Sequence, residues 1–128
     1  MTEKRELGKI TETHLGREDH GIMTFYVYFD FGGTSQGFGG YVLDTYNKKT
    51  EKREGTAFGC EVINRILEAV GVRRWEDLVG NEMWVIRNRE GFDSKIIGIE
   101  APKYRKNAGR PFVIDEVIQE FKLDEETP

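Results

Sequence analysis

Two histidines lie among carboxylates, in Glu12-Thr-His14 and Glu18-Asp19-His20. Imidazole beside carboxylate is the raw material of a general base, or of a metal site that activates water. The spacing matches no familiar zinc motif. Metal-assisted hydrolysis through His14, Asp19 and His20 is therefore the third-ranked reading, and both side chains read more simply as surface or hydrogen-bonded structural residues. Cys60 is the sole cysteine. It rules out an intrachain disulfide and a cysteine-built zinc site, suits a reducing compartment, and reads as a packed thiol inside a helix. With no G-x-S-x-G elbow present, nothing marks a nucleophile, and the chain reads as a binder more than an enzyme.

The glycine-rich stretch Phe29-Asp-Phe-Gly-Gly-Thr-Ser-Gln-Gly-Phe-Gly-Gly-Tyr41 is the obvious place to look for a phosphate cradle. It has neither the P-loop nor the dinucleotide spacing, and it lies between two apolar runs rather than before a helix. A β-hairpin is the better reading. Pairing Phe31 with Gln36 sets Tyr28 against Gly39 and Tyr26 against Tyr41, leaving a shallow glycine floor flanked by tyrosines on which a planar base can stack. The loop Lys103-Tyr-Arg-Lys-Asn-Ala-Gly-Arg110 adds cations able to clamp phosphate. The ligand-contact candidates are thus Asp19, His20, Tyr26, Tyr28, Gln36, Phe38, Tyr41, Arg105 and Arg110, with no metal ligand and no cofactor expected.

These residues need elements to position them. Glu6 to Thr13 permits a short strand, and Thr24 to Phe31 alternates with period two, placing Phe25, Val27, Phe29 and Phe31 on one face. The return strand runs from Gln36 to Asp44. Asn47 to Gly55 is a charged, solvated loop. Thr56 caps a helix whose stripe of Phe58, Val62, Ile63, Ile66, Leu67 and Val70 ends at Gly71. A helical turn buries Trp75 and Leu78. A strand over Glu82 to Arg87, a turn at Asn88 to Gly91, a strand over Ser94 to Glu100 and a terminal helix bearing Ile114, Val117, Ile118 and Phe121 complete the reading. The expected fold is a single α+β domain over 1–122, followed by a frayed acidic tail at 123–128. It comprises an antiparallel β-sheet with one long amphipathic helix packed on one face and a short C-terminal helix.

The 128 residues are enough for one core, and 33% charged with 38% hydrophobic residues is a globular composition. A formal charge of −4 argues against generic nucleic-acid binding. The charged N-terminus has no signal-peptide core, and no run approaches the length of a membrane span. The expectation is a protein neither exported nor inserted.

Taken together, Glu18-Asp-His-Gly-Ile22, Gln36-Gly-Phe-Gly-Gly-Tyr41, Gly55-Thr-Ala57 and Val72-Arg-Arg-Trp-Glu-Asp-Leu78 resemble a family of small, mostly uncharacterised accessory proteins of tailed bacteriophages and prophages. The blocks lie within residues 8–100. The resemblance implies a phage accessory protein in the host cytoplasm and supplies no catalytic residue. Such proteins commonly act on the host. The leading function is therefore non-catalytic sequestration of a phosphate-bearing small ligand, such as a nucleotide signal of antiviral defence. The alternative is a protein-binding inhibitor of a host defence nuclease or other nucleic-acid enzyme, anti-CRISPR-like, acting through acidic residues such as Asp115, Glu116 and Glu120. An aromatic sheet face left exposed would also suit a homo-oligomer.

Overall fold

The computed structural model describes residues 4–88 and 94–126. It is an α+β arrangement of a six-stranded antiparallel sheet, a separate two-stranded hairpin and two helices. The sheet consists of β1 (Lys4–Arg17), β2 (Met23–Asp30), β3 (Ser35–Gly39), β6 (Glu82–Arg87), β7 (Ile96–Glu100) and β8 (Phe112–Val113). Its spatial order is β3-β2-β1-β6-β7-β8, so the first strand of the chain is central.

At 14 residues, β1 is far longer than the stretch expected from Glu6 to Thr13. A bulge between Ile10 and Glu12 explains why its pattern is weak. The extra residue puts Ile10 opposite Phe29 and Thr13 opposite Val27, so both point to the core although an odd number of positions separates them.

The period-two reading of β2 holds, with Phe25, Val27 and Phe29 each at most 1% exposed. Its pairing with β3 is corrected by two residues. Phe29 faces Gln36, Tyr28 faces Gly37 and Tyr26 faces Gly39. The cause is the turn: Phe31 leaves the strand, its amide donates to the Thr34 carbonyl at 2.8 Å, and the loop becomes Phe31 to Thr34. A shift of two keeps every side chain on its own face. The Tyr28 ring still covers a glycine, because a Cβ at Gly37 would lie 2.8 Å from it.

β3 also stops early. Gly39 and Gly40 have φ of 143° and 84°, a backbone that turns the chain out of the sheet into an irregular strap, Tyr41 to Leu43. The stretch read as a solvated loop is instead a hairpin of β4 (Asp44–Asn47) and β5 (Lys52–Gly55). Polar pairs hold it: Arg53 to Asp44, and Asn47 to Glu54.

Helix α1 (Ala57–Val70) begins where Thr56 Oγ1 accepts from Gly59 N–H at 2.9 Å and donates to the Leu43 carbonyl at 2.7 Å. It ends at Gly71 in the left-handed conformation, as its sequence requires. Gly59 lies directly against the Leu43 carbonyl oxygen, which leaves no room for a Cβ. Helix α2 (Ile114–Glu126) follows β8 without a break. The two helices and one sheet face share a core that includes Phe25, Phe29, Phe38, Val62, Ile66, Val85, Phe112, Ile114 and Val117. Leu78, directly after the short helical turn Trp75–Asp77, is fully buried there. The turn expected from Asn88 to Gly91 falls, beyond Asn88, outside the described residues.

The sheet rolls until β3 comes back against β7, and Phe38 meets Phe112 with ring centroids 6.0 Å apart. Arg87 closes the roll. Its side chain is 6% exposed. Nη1 donates to Gln36 Oε1 at 2.6 Å and to the Ser94 carbonyl at 3.1 Å, while Nε and Nη2 both donate to Glu6 Oε1. The Phe31 ring lies 5.3 Å from its guanidinium carbon. Replacing Arg87 with Met leaves the Gln36 and Ser94 acceptors without this donor, and should cost about 2–4 kcal/mol in urea unfolding. Glu6→Gln, at a side chain 41% exposed, should cost under about 1 kcal/mol.

Candidate functional site

The rolled sheet distributes the nine ligand-contact candidates over several places. Asp19, His20 and Tyr26 come together. The chain leaves β1 into a single 3-10 turn, Asp19–Gly21, in which His20 has φ 64° and ψ 16° and Gly21 has φ 76°. A left-handed histidine is a strained position that the surrounding turn must hold. Across from it lie Gly40, Val42 and Tyr26. With Glu18, Ile22 and Thr24 they enclose a cleft of about 400 Å³.

Tyr26 and Tyr28 stack on each other, centroids 5.9 Å apart and planes at 17°. The Tyr26 hydroxyl would be 2.9 Å from a Cβ at Gly40, so that glycine is what lets the tyrosine lie along the cleft wall. Thr24 Oγ1 is committed, donating to the Tyr41 carbonyl at 2.7 Å. The cleft therefore offers an aromatic wall, the carboxylates of Glu18 and Asp19, and the exposed His20. Among the described residues, no lysine or arginine lines it. His14 Nε2 is 3.4 Å from Glu18 Oε2, an ion-pair distance when the imidazole is protonated. Among the described residues, no three His, Cys, Asp or Glu side chains are grouped to hold a metal ion.

The other candidates go elsewhere. Phe38 is 2% exposed and packs edge-on to Phe25, so its ring is core and meets no ligand. Gln36 belongs to the Arg87 clasp, with its amide donating to the Ser94 carbonyl at 3.2 Å. Tyr41 lies on the helix side of the strap, stacked on Phe25 at 6.3 Å with Lys95 Nζ 5.4 Å from its ring centroid. Arg105, expected to neutralise phosphate, donates to the Glu82 carbonyl at 2.8 Å and reaches Met83 Sδ and the Val70 carbonyl. It ties the basic loop to β6. Arg110 lines an open polar groove with Arg73, Glu61 and Glu68, far along the chain and in a different cavity from the tyrosines. Cys60 is exposed on α1, not packed.

Two features were missed by sequence reasoning. Arg87 gave no sign, since its partners Gln36 and Glu6 lie 51 and 81 positions away. The strap was the other. It is pinned by Leu43 N–H to the Met23 carbonyl at 2.9 Å and by Asp44, whose carboxylate accepts from the Met23 amide and from two nitrogens of Arg53. The strap separates the polar cleft from an apolar one of about 520 Å³ on the helix side, and Val42 lines both.

The fold and cleft define a small α+β domain with a polar, aromatic-walled recess. Comparison with protein-family models, curated proteins and solved structures finds no match for the chain. No helix among the described residues is long and apolar enough to cross a membrane.

The Asp44 pair makes the strap acid-sensitive. The Arg53 guanidinium holds the Asp44 carboxyl below its usual range, with the Met23 amide contributing in the same direction. A depressed folded pKa stabilises above the unfolded value of about 3.9, and the contribution is lost as pH falls through the folded value. Wild type should therefore exceed Asp44→Asn in urea-unfolding stability at pH 7, by about 1–2 kcal/mol. The gap should begin to narrow below about pH 4, where the unfolded carboxyl takes up a proton, and close as pH falls through the lower folded value.

Proposed function

We propose that this chain is a non-enzymatic binding protein that captures a small ligand by a planar head in the cleft between the Asp19–Gly21 turn and Gly40. The reading is carried by one observation, the convergence of Asp19, His20 and Tyr26 on a single recess. Tyr26 supplies a stacking surface. Glu18 and Asp19 are acceptors, so the head must present N–H donors, as a nucleobase edge does. Two carboxylates without a lining cation repel phosphate. Any phosphate on the ligand then projects away from the cleft, and Arg105 and Arg110 leave the phosphate-clamping role first given to them. On the resemblance to phage accessory proteins, the proposed setting is an infected bacterium and the proposed target a nucleotide signal of host defence.

The test is titration calorimetry with the common nucleosides and their 5′-monophosphates. At least one nucleoside should bind and be recovered chemically unaltered, and its monophosphate should bind no more tightly. Asp19→Ala should weaken binding by about tenfold or more, from loss of a charge-assisted hydrogen bond, and Tyr26→Ala by a similar factor. Binding that survives both substitutions, or none by any nucleoside, defeats the reading.

A second reading, inhibition of a host enzyme by direct contact, is favoured by the opposite sheet face. Both helices pack on the face bearing Phe25, Val27 and Val85. The other face carries the cross-strand pair Leu7 and Trp84, 40% and 37% exposed, as well as the stacked tyrosines. The acidic helix face suits this role less well than its sequence suggested, because Glu120 is held by Arg65 in a two-pronged salt bridge. If that sheet face binds a host protein, co-purification from infected cells should disappear in Trp84→Ala while Asp19→Ala leaves it intact.

A further inference from the structure

Beyond the polar cleft, we infer a second ligand site in the apolar cavity on the helix side of the strap, built for a small single-chain carboxylate. The cavity, about 520 Å³, falls in the usual range for small-molecule sites. Its walls are Tyr41, Val42, Phe58, Ile118 and Phe121. Phe58 and Phe121 meet edge-to-face at 5.5 Å, which fixes the side where the two helices adjoin. Val42 is 48% exposed, a large apolar side chain with no protein cover on its outer side.

The polar groups of the lining decide what head the occupant carries. Thr56 Oγ1 both accepts from Gly59 and donates to Leu43, so it is used. Asp44 is neutralised by Arg53, and both its oxygens accept hydrogen bonds. That leaves the ammonium of Lys122, exposed at the rim and without a carboxylate partner among the described residues. Apolar walls with one uncommitted cation fit an apolar tail ending in one anionic group. An alcohol head would gain no Coulomb attraction from the lysine, and an amine head would meet it with like charge. The site does not depend on the reading given to the polar cleft, because the two lie on opposite sides of the strap and share only Val42.

The experiment is an NMR titration of the full chain with octanoate, decanoate, decanol and decylamine, each below its aggregation limit. Decanoate should shift the amides of Tyr41, Val42, Phe58, Ile118 and Phe121 saturably, and should bind on the order of tenfold more tightly than octanoate through its two extra methylenes. Lys122→Glu, a surface change, should weaken decanoate by roughly threefold or more while leaving the spectrum otherwise native. Ala57→Trp, which places a large side chain in the recess, should abolish binding. No saturable shifts at these residues, or decanol and decylamine binding as tightly as decanoate, would overturn the proposal. Nucleoside binding at the Asp19 cleft is scored separately in the same samples, so failure at one site is distinct from failure at the other.

Discussion

The bend of this sheet depends on a buried guanidinium. Removing an arginine from water is costly unless its N–H groups are met by acceptors in the right places. Arg87 is met by Glu6 from β1, Gln36 from β3 and the Ser94 carbonyl just ahead of β7, with the Phe31 ring against it. Glu6 and Ser94 flank β6, on β1 and ahead of β7, but Gln36 comes from the edge strand β3, three places away in the sheet. The arginine can be satisfied only if the sheet is rolled, and the roll in turn makes one face concave enough to receive α1 and α2. The geometry of Arg matters here, because a lysine would offer a point charge where three differently directed acceptors wait.

Stability and shape therefore come from different groups. Phe25, Phe29, Phe38 and Phe112 are all buried to 2% exposure or less, and each contributes roughly 1.5–3 kcal/mol of transfer free energy. The pair Arg74–Asp77, with side chains 71% and 44% exposed, contributes at most about 1 kcal/mol. The aromatic core holds the protein folded, and the polar clasps decide how the sheet is bent and where the strap runs. The clefts follow the second set. The two clefts differ because one is walled by the polar connection after β1 and the other by the apolar sides of two helices.

The local features were legible in the sequence and the long-range ones were not. Thr56 and Gly71 marked the ends of α1 because caps are read from neighbouring residues. Glu82 to Arg87 was read to the residue. The β2–β3 register was displaced by two, since periodicity fixes which face a residue takes and says nothing about which turn residue starts the return. The hairpin β4–β5 was missed for want of apolar alternation. Its strands are joined by side-chain pairs such as Asp44–Arg53 that composition alone reads as a solvated run. Among the site candidates, Asp19, His20 and Tyr26 come to line one cleft because turn chemistry and strand parity place them there. Phe38 and Arg105 were misjudged because their surroundings come from β8 and β6, far away in the chain.

The strand order has a bearing on how the molecule is made. β1 pairs with β2 as soon as both exist, but its other neighbour, β6, ends at Arg87, more than sixty residues after β1 ends. While the ribosome is still extending the chain, the first three strands form a meander whose apolar side, bearing Phe25, Val27, Phe29 and Phe38, has neither helix nor clasp to cover it. The tyrosine and glycine face opposite is already complete at that stage. The nascent chain thus presents its eventual interior to solvent until β6 arrives, and its most sticky moment falls in mid-translation rather than in the finished protein.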